Sequence, residues 1–144
     1  MYAVQSKQQA HLYSDLAAVR EQNVQQKISS ESSAQPTSRN LYLENADMVG
    51  WIQIEGTGID YPVMQTPTDP NYYLKHDFEK HYTDYGCPFM QADCDALAPS
   101  DNLIIYGHNM KDGSMFADLA KYRSKDFWQN HKTVWFDTEL GSCA

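Results

Sequence analysis

The chain has 144 residues, 42% of them hydrophobic, which is the size of one ordinary domain with enough apolar side chains to bury a core. Its formal charge of -8 argues against nucleic acid or an anionic membrane as the main partner, because a phosphate-binding face needs clustered Lys and Arg and no cluster appears. The longest apolar runs, such as Leu103 to Tyr106, fall far short of the roughly 18 to 20 residues that span a bilayer, and no charged-then-apolar leader opens the chain. The expectation is a soluble chain as it stands, whose targeting segment has been removed if the natural protein is anchored or secreted.

In chain order, residues 3 to 27 hold few turn formers and place Leu12, Leu16 and Val19 at spacings of four and three. That spacing predicts an amphipathic helix with a thin apolar stripe, packed against the domain rather than forming its centre. Residues 29 to 40, SSESSAQPTSRN, have almost nothing to bury and read as a linker. The folded part is expected from Leu41, which divides the chain into a helix and Ser-rich linker over 1–40 and a β domain over 41–144.

In VGWIQIEGTGIDYPVMQ, apolar Trp51 and Ile54 precede a Gly-Thr-Gly break and then Ile59, Tyr61 and Val63 alternate. Two short strands joined by a tight turn follow from this, with Pro62 putting the second strand at an edge or a bulge, since proline has no amide proton to donate. Residues 69 to 83 read as an irregular surface segment with one helical turn. A third strand is expected around Cys87 to Gln91, then a polar connection DCDALAPSD. Asn102 to Tyr106 is the clearest strand, and its unbroken apolar run suits a strand covered on both faces. Beyond it, Met115, Phe116 and Leu119 have helical spacing, with Ser114 as N-cap. A short helix over Lys125 to Asn130 and a final strand, TVWFDT, complete the pattern: mainly β, with helices inserted late.

Ten tyrosines and three tryptophans suggest an aromatic β core or a groove for an extended ligand. His108 follows Gly107 at the end of the clearest strand, where a rigid base can present a side chain to a cleft. Spacing alone leaves it open as a catalytic group or a hydrogen-bonded structural one. His76 and His81 read as solvated surface residues, and His131 as a local cap. Asp93, Asp95 and Asp101 lack the glycine and distal glutamate of a calcium loop and read as a solvated acidic loop. Three cysteines, Cys87, Cys94 and Cys143, make an odd count without CxxC spacing, which suggests unpaired thiols. None has an arginine beside it in sequence, and Arg123 falls on the helix or turn after the His108 loop.

Taken together, VGWIQIEGTGIDYPVMQ, NYYLKHDF, GCPFM, NLIIYGHNMKDGSMFADLAKY and FWQNHKTVWFDT resemble, in order and spacing over about residues 41 to 138, the class B sortases. The resemblance implies a sortase-like β-barrel and a cysteine transpeptidase, without cofactor or metal, on the outer face of the membrane of a Gram-positive bacterium. Such enzymes cleave a sorting signal, hold the protein as a thioester and pass it to a cell-wall or pilin amine. By the same resemblance His108 is the catalytic histidine, while Tyr106 and Leu74 border the substrate groove. The family's late TLxTC-like strand and the arginine after it have no counterpart here, and Cys143 comes too early to be the nucleophile. The chain is therefore expected to be the N-terminal portion of the catalytic domain, truncated and inactive alone, with an incomplete barrel prone to self-association through unpaired strands. The alternative is a non-catalytic peptide-binding module that keeps the groove.

Overall fold

A computed structural model describes residues 2–29, 39–98, 101–139 and 141–143. Helix α1 spans Tyr2–Ser29 and α2 spans Leu41–Glu44. Most of the expected linker, residues 30–38, lies outside the described residues. At the start of α2 the Asn40 side chain accepts from the Tyr42 amide, one of the donors that a helix start leaves without a backbone partner.

Strands β1 (Met48–Gln53) and β2 (Asp60–Met64) form the expected antiparallel hairpin, pairing Trp51 with Pro62 and Ile52 with Tyr61. Its turn is closed by Thr57: the hydroxyl donates to the Ile54 carbonyl at 2.7 Å and accepts from the Ile59 amide at 3.0 Å. Strands β3 (Phe89–Met90), β4 (Ile105–Tyr106), β5 (Trp135–Thr138) and β6 (Gly141–Cys143) complete one sheet of order β4-β3-β2-β1-β5-β6. The β2–β3 pairing is parallel and the others are antiparallel, so the sheet is mixed.

The described strands form an open sheet with β4 and β6 at its edges, not closed into a barrel, since closure needs the first and last strands of the order to pair. Several expectations are corrected. TVWFDT is not the last strand, since β6 folds back on β5 and pairs Phe136 with Cys143. β2 lies inside the sheet, not at its edge, and the irregularity in its pairing falls between Met48 and Gly50 of β1, opposite Met64 and Val63. Pro62 is tolerated there because the β2–β3 ladder touches only at Met64 and Phe89, and the Pro62 carbonyl faces the Cys87 thiol instead. The run Asn102 to Tyr106 yields only a two-residue edge strand, with Leu103, Ile104 and Ile105 half-buried and Tyr106 45% exposed. A strand with one neighbour and an open cleft beside it has no second cover.

The segment 69–83 is also less superficial than its composition suggests. A 3-10 helix at Tyr72–Leu74 buries Tyr73, and Asp77 and Phe78 are buried after it. Buried Asn45 explains part of this: its amide donates to the Tyr73 hydroxyl at 2.9 Å and the Phe78 carbonyl at 2.8 Å, which pairs both groups in the interior. After the His108 loop the chain forms a 3-10 helix at Ala117–Arg123, not an α-helix capped by Ser114. Met115 is buried at φ 56°, a left-handed conformation that starts no right-handed helix. Helix α3, Lys125–Asn130, falls where expected, with the Ser124 hydroxyl accepting from the Phe127 amide.

α1 lies on β2 and sends Tyr13 and Leu16 into the core around Trp51, Val63, Met64 and Tyr73. Its inner face is Ser6, Gln9, Tyr13, Leu16 and Arg20, spaced three and four apart. Gln9 donates to buried Asp77, the Tyr13 hydroxyl to the Gly86 carbonyl at 2.6 Å, and Arg20 to Asp137 on β5. Among the described residues no helix is long and apolar enough to cross a membrane.

Candidate active site

Beside the β3–β4 edge a cleft of about 480 Å³ is lined by Pro70, Asn71 and Leu74 on one side, by Phe89 and residues 91–93 on another, and by Tyr106, Gly107 and His108. The three residues singled out from the sequence, His108, Tyr106 and Leu74, thus share one cleft. Leu74 is 39% exposed and Tyr106 45%, so both present apolar surface to a ligand. Tyr106 is steadied by the Phe89 ring at 5.4 Å, and its hydroxyl donates to the Gln91 side chain at 2.8 Å.

Local backbone geometry presents the histidine. Gly107 lies flat against Phe116, where an added Cβ would sit 2.6 Å from the ring. The chain then doubles back: the Phe116 amide donates to the His108 carbonyl at 2.7 Å, and Asn109 bridges to Met115. His108 Nε2 lies 2.7 Å from the Leu74 carbonyl. A carbonyl only accepts, so Nε2 carries the proton, and in the neutral ring Nδ1 keeps the lone pair. In the imidazolium both nitrogens donate, and the Leu74 carbonyl still accepts from Nε2.

The loop tip is held by Asp112. Its carboxylate accepts from the Ser114 amide and hydroxyl, from the Tyr85 hydroxyl at 2.6 Å and from the Ser6 hydroxyl at 3.0 Å. Desolvation alone would raise its pKa, but these bonds outweigh it and hold the group at about 2. With the folded pKa below the unfolded one, its stabilisation is present above about pH 4 and is lost as pH falls through about 2. Urea midpoints should therefore separate wild type from Asp112→Ala at pH 5, and the gap should narrow towards pH 2. A gap of constant size would show that the ionised carboxylate is not the cause.

Other candidates lie elsewhere. Cys87 is buried, its thiol pushed well up by desolvation, and Cys94 is buried with its thiol on the Asn102 carbonyl. Neither lines the cleft. Cys143 is on β6, at the opposite edge of the sheet order from β4. Arg123 ends its 3-10 helix, while Arg20 is paired with Asp137 and Arg39 with Glu44. His131 acts as a local cap, its Nδ1 2.9 Å from the Phe127 carbonyl and its ring stacked on Phe127. His76 is stacked on Tyr72 at 3.9 Å, more engaged than a solvated residue, whereas the His81 side chain is 72% exposed. Asp95 turns back onto the Leu97 and Ala98 amides. Asp93, read from the sequence as loop, borders the cleft through a 2.6 Å bond from Gln91. No sequence signal separates it from its acidic neighbours, because only the β3–β4 pairing brings that loop beside His108.

The chain and its fold have counterparts among known proteins. The chain is 46% identical over 102 residues to sortase B of Listeria monocytogenes, a match covering 71% of this chain and 41% of the relative. It is 35% identical over 111 residues to sortase B of Staphylococcus aureus, covering 77% and 45%. A solved sortase B in complex with triglycine superposes with a TM-score of 0.83 at 31% identity, over 95% of this chain and 62% of that one. No family model matches. The chain belongs to the sortase B family, and it spans less than half the length of these curated relatives.

Proposed function

We propose that this chain supplies the acid–base histidine and one side of the peptide groove of a class B sortase-like cysteine transpeptidase. The observation that carries this is the convergence of His108, Tyr106 and Leu74 on one cleft. The substrate is the sorting signal of a surface protein, and the acceptor is a cell-wall or pilin amine, on the outer face of the membrane of a Gram-positive bacterium. The triglycine in complex with the related sortase B supports an acceptor of this kind, since a glycine peptide offers a free amine.

In the reaction a thiolate attacks the scissile carbonyl and the C–N bond breaks. The His108 imidazolium gives its proton to the leaving amine, and the acyl group remains as a thioester. An incoming amine then loses a proton to the imidazole and displaces the sulfur. The Leu74 carbonyl holds Nε2–H, leaving Nδ1 as the nitrogen that carries the transferred proton. With Cys87 and Cys94 buried away from the cleft, the sulfur and the oxyanion-stabilising cation come from segments other than those lining it here. The chain by itself is thus a binding half without turnover, and the unpaired edges β4 and β6 are where it associates with further strands or with itself.

Titrating a fluorescent sorting-signal peptide into the chain tests this. Binding without cleavage is expected, weakened about 10-fold or more by Tyr106→Ala, since burying an aromatic face contributes on the order of 1.5 to 3 kcal/mol. Cleavage by the chain alone, abolished by His108→Ala, would refute the division of labour. Binding that ignores both Tyr106→Ala and Leu74→Ala would refute the groove.

A further inference from the structure

The loop that carries His108 and the carbonyl that its ring bonds belong to different parts of the chain. Across a gap of this kind, a hydrogen bond keeps its length only if something else fixes the two sides. The Leu74 carbonyl is located by its neighbours: the Cys87 amide donates to the Tyr73 carbonyl at 2.9 Å, and Gly86 packs so close that an added Cβ would lie 2.7 Å from the Leu74 oxygen. Tyr85 is the next residue in that backbone, and its hydroxyl reaches across to Asp112 at the tip of the His108 loop at 2.6 Å. The contacts close a ring, running from His108 to Leu74, through Gly86 to Tyr85, over to Asp112, and back along the loop to His108.

We infer that Asp112 and Tyr85 are positioning residues for the His108 imidazole, a cross-brace holding the Nε2 proton on the Leu74 carbonyl. Asp112 suits this part because both of its oxygens are used. One is taken by the Ser114 amide and hydroxyl, which shape the loop tip, and the other by Tyr85 and by Ser6 of α1. α1 supports both ends of the brace, through Ser6 on Asp112 and through the Tyr13 hydroxyl on the Gly86 carbonyl. Without the brace the loop keeps its own turn, with Gly113 bonded back to Met110 and Phe116 to His108, and its anchor at Met115 on the Tyr61 hydroxyl, but its tip is no longer tied to the Tyr85–Gly86 backbone that borders Leu74. Chemically the brace fixes which nitrogen holds the proton, leaving Nδ1 as the site that takes or gives one.

This deepens the reading of His108 as the acid–base group, and its test does not depend on turnover. Long-range 1H–15N correlation spectra of the labelled chain report the tautomer of each imidazole, and exchange spectroscopy reports how fast its N–H proton leaves. In Tyr85→Phe and in Asp112→Asn, the His108 ring is expected to shift from the Nε2–H form to a mixture, with N–H exchange about 10-fold faster. His131, whose Nδ1 is bonded to its own helix, serves as the internal control and keeps its signature. Tyr85→Phe removes a single oxygen, so it carries the test if Asp112→Asn does not fold. A His108 ring with unchanged tautomer and exchange in folded Tyr85→Phe would overturn the brace. If the wild-type chain binds no sorting-signal peptide yet its ring responds as expected, the brace stands and only the proposed groove falls.

Discussion

Gly86→Ala is expected to destabilise the chain by roughly 2 to 5 kcal/mol, combining the cost of a left-handed conformation for a residue with a Cβ and that of an overpacked contact. Gly86 has φ of 60°, and the new methyl would sit 2.4 Å from the Tyr73 carbonyl oxygen, a backbone atom that cannot swing aside. The damage would reach the candidate active site, because the strand of chain pushed away carries the Leu74 carbonyl that His108 bonds. Two measurements check this: a urea or thermal melt, and the His108 Nε2 proton signal, which should broaden or vanish at temperatures where the variant is still folded. A variant with wild-type stability would mean that the 72–74 turn and the Gly86 backbone separate freely, and the account of how Leu74 is held would fail.

Leu16→Ala should cost about 2 to 5 kcal/mol through lost burial and the cavity left behind, lowering the melting temperature by on the order of 5 to 15 °C. Leu16 is 1% exposed, less than any other described side chain of α1. Around it the helix is held mainly by polar contacts, Gln9 to Asp77, Tyr13 to Gly86 and Arg20 to Asp137, which contribute less each and depend on the helix being seated. Leu12→Ala is the matched control: Leu12 is only partly buried, so its loss should be clearly smaller. Equal effects of the two substitutions would show that α1 does not dock through the face described.

That face explains why α1 is legible as a helix but not as a partner of the site. An apolar pattern finds Leu12, Leu16 and Val19, whereas the helix seats itself on Ser6, Gln9, Tyr13, Leu16 and Arg20, whose polar members carry no hydrophobic signal. The hairpin β1–β2 was visible because its turn chemistry, a glycine with positive φ and the Thr57 hydroxyl, is local. Helix α3 was visible for the same reason, through the Ser124 cap. The helix expected after Ser114 was not, since spacing alone does not reveal that Met115 must turn left-handed to place its side chain in the core and its amide on the Tyr61 hydroxyl.

By itself, then, the order of residues determined α1, the β1–β2 hairpin and α3, the family likeness and the three names His108, Tyr106 and Leu74, because each rests on neighbours within a few positions or on a motif. Only the tertiary structure decided that these three share a cleft, that the thiols Cys87 and Cys94 lie away from it, and that the sheet is left open between β4 and β6. Those outcomes depend on pairings between residues far apart in the chain, such as Met64 with Phe89 and Tyr85 with Asp112, whose free energy comes from burial and hydrogen bonding that no short stretch contains.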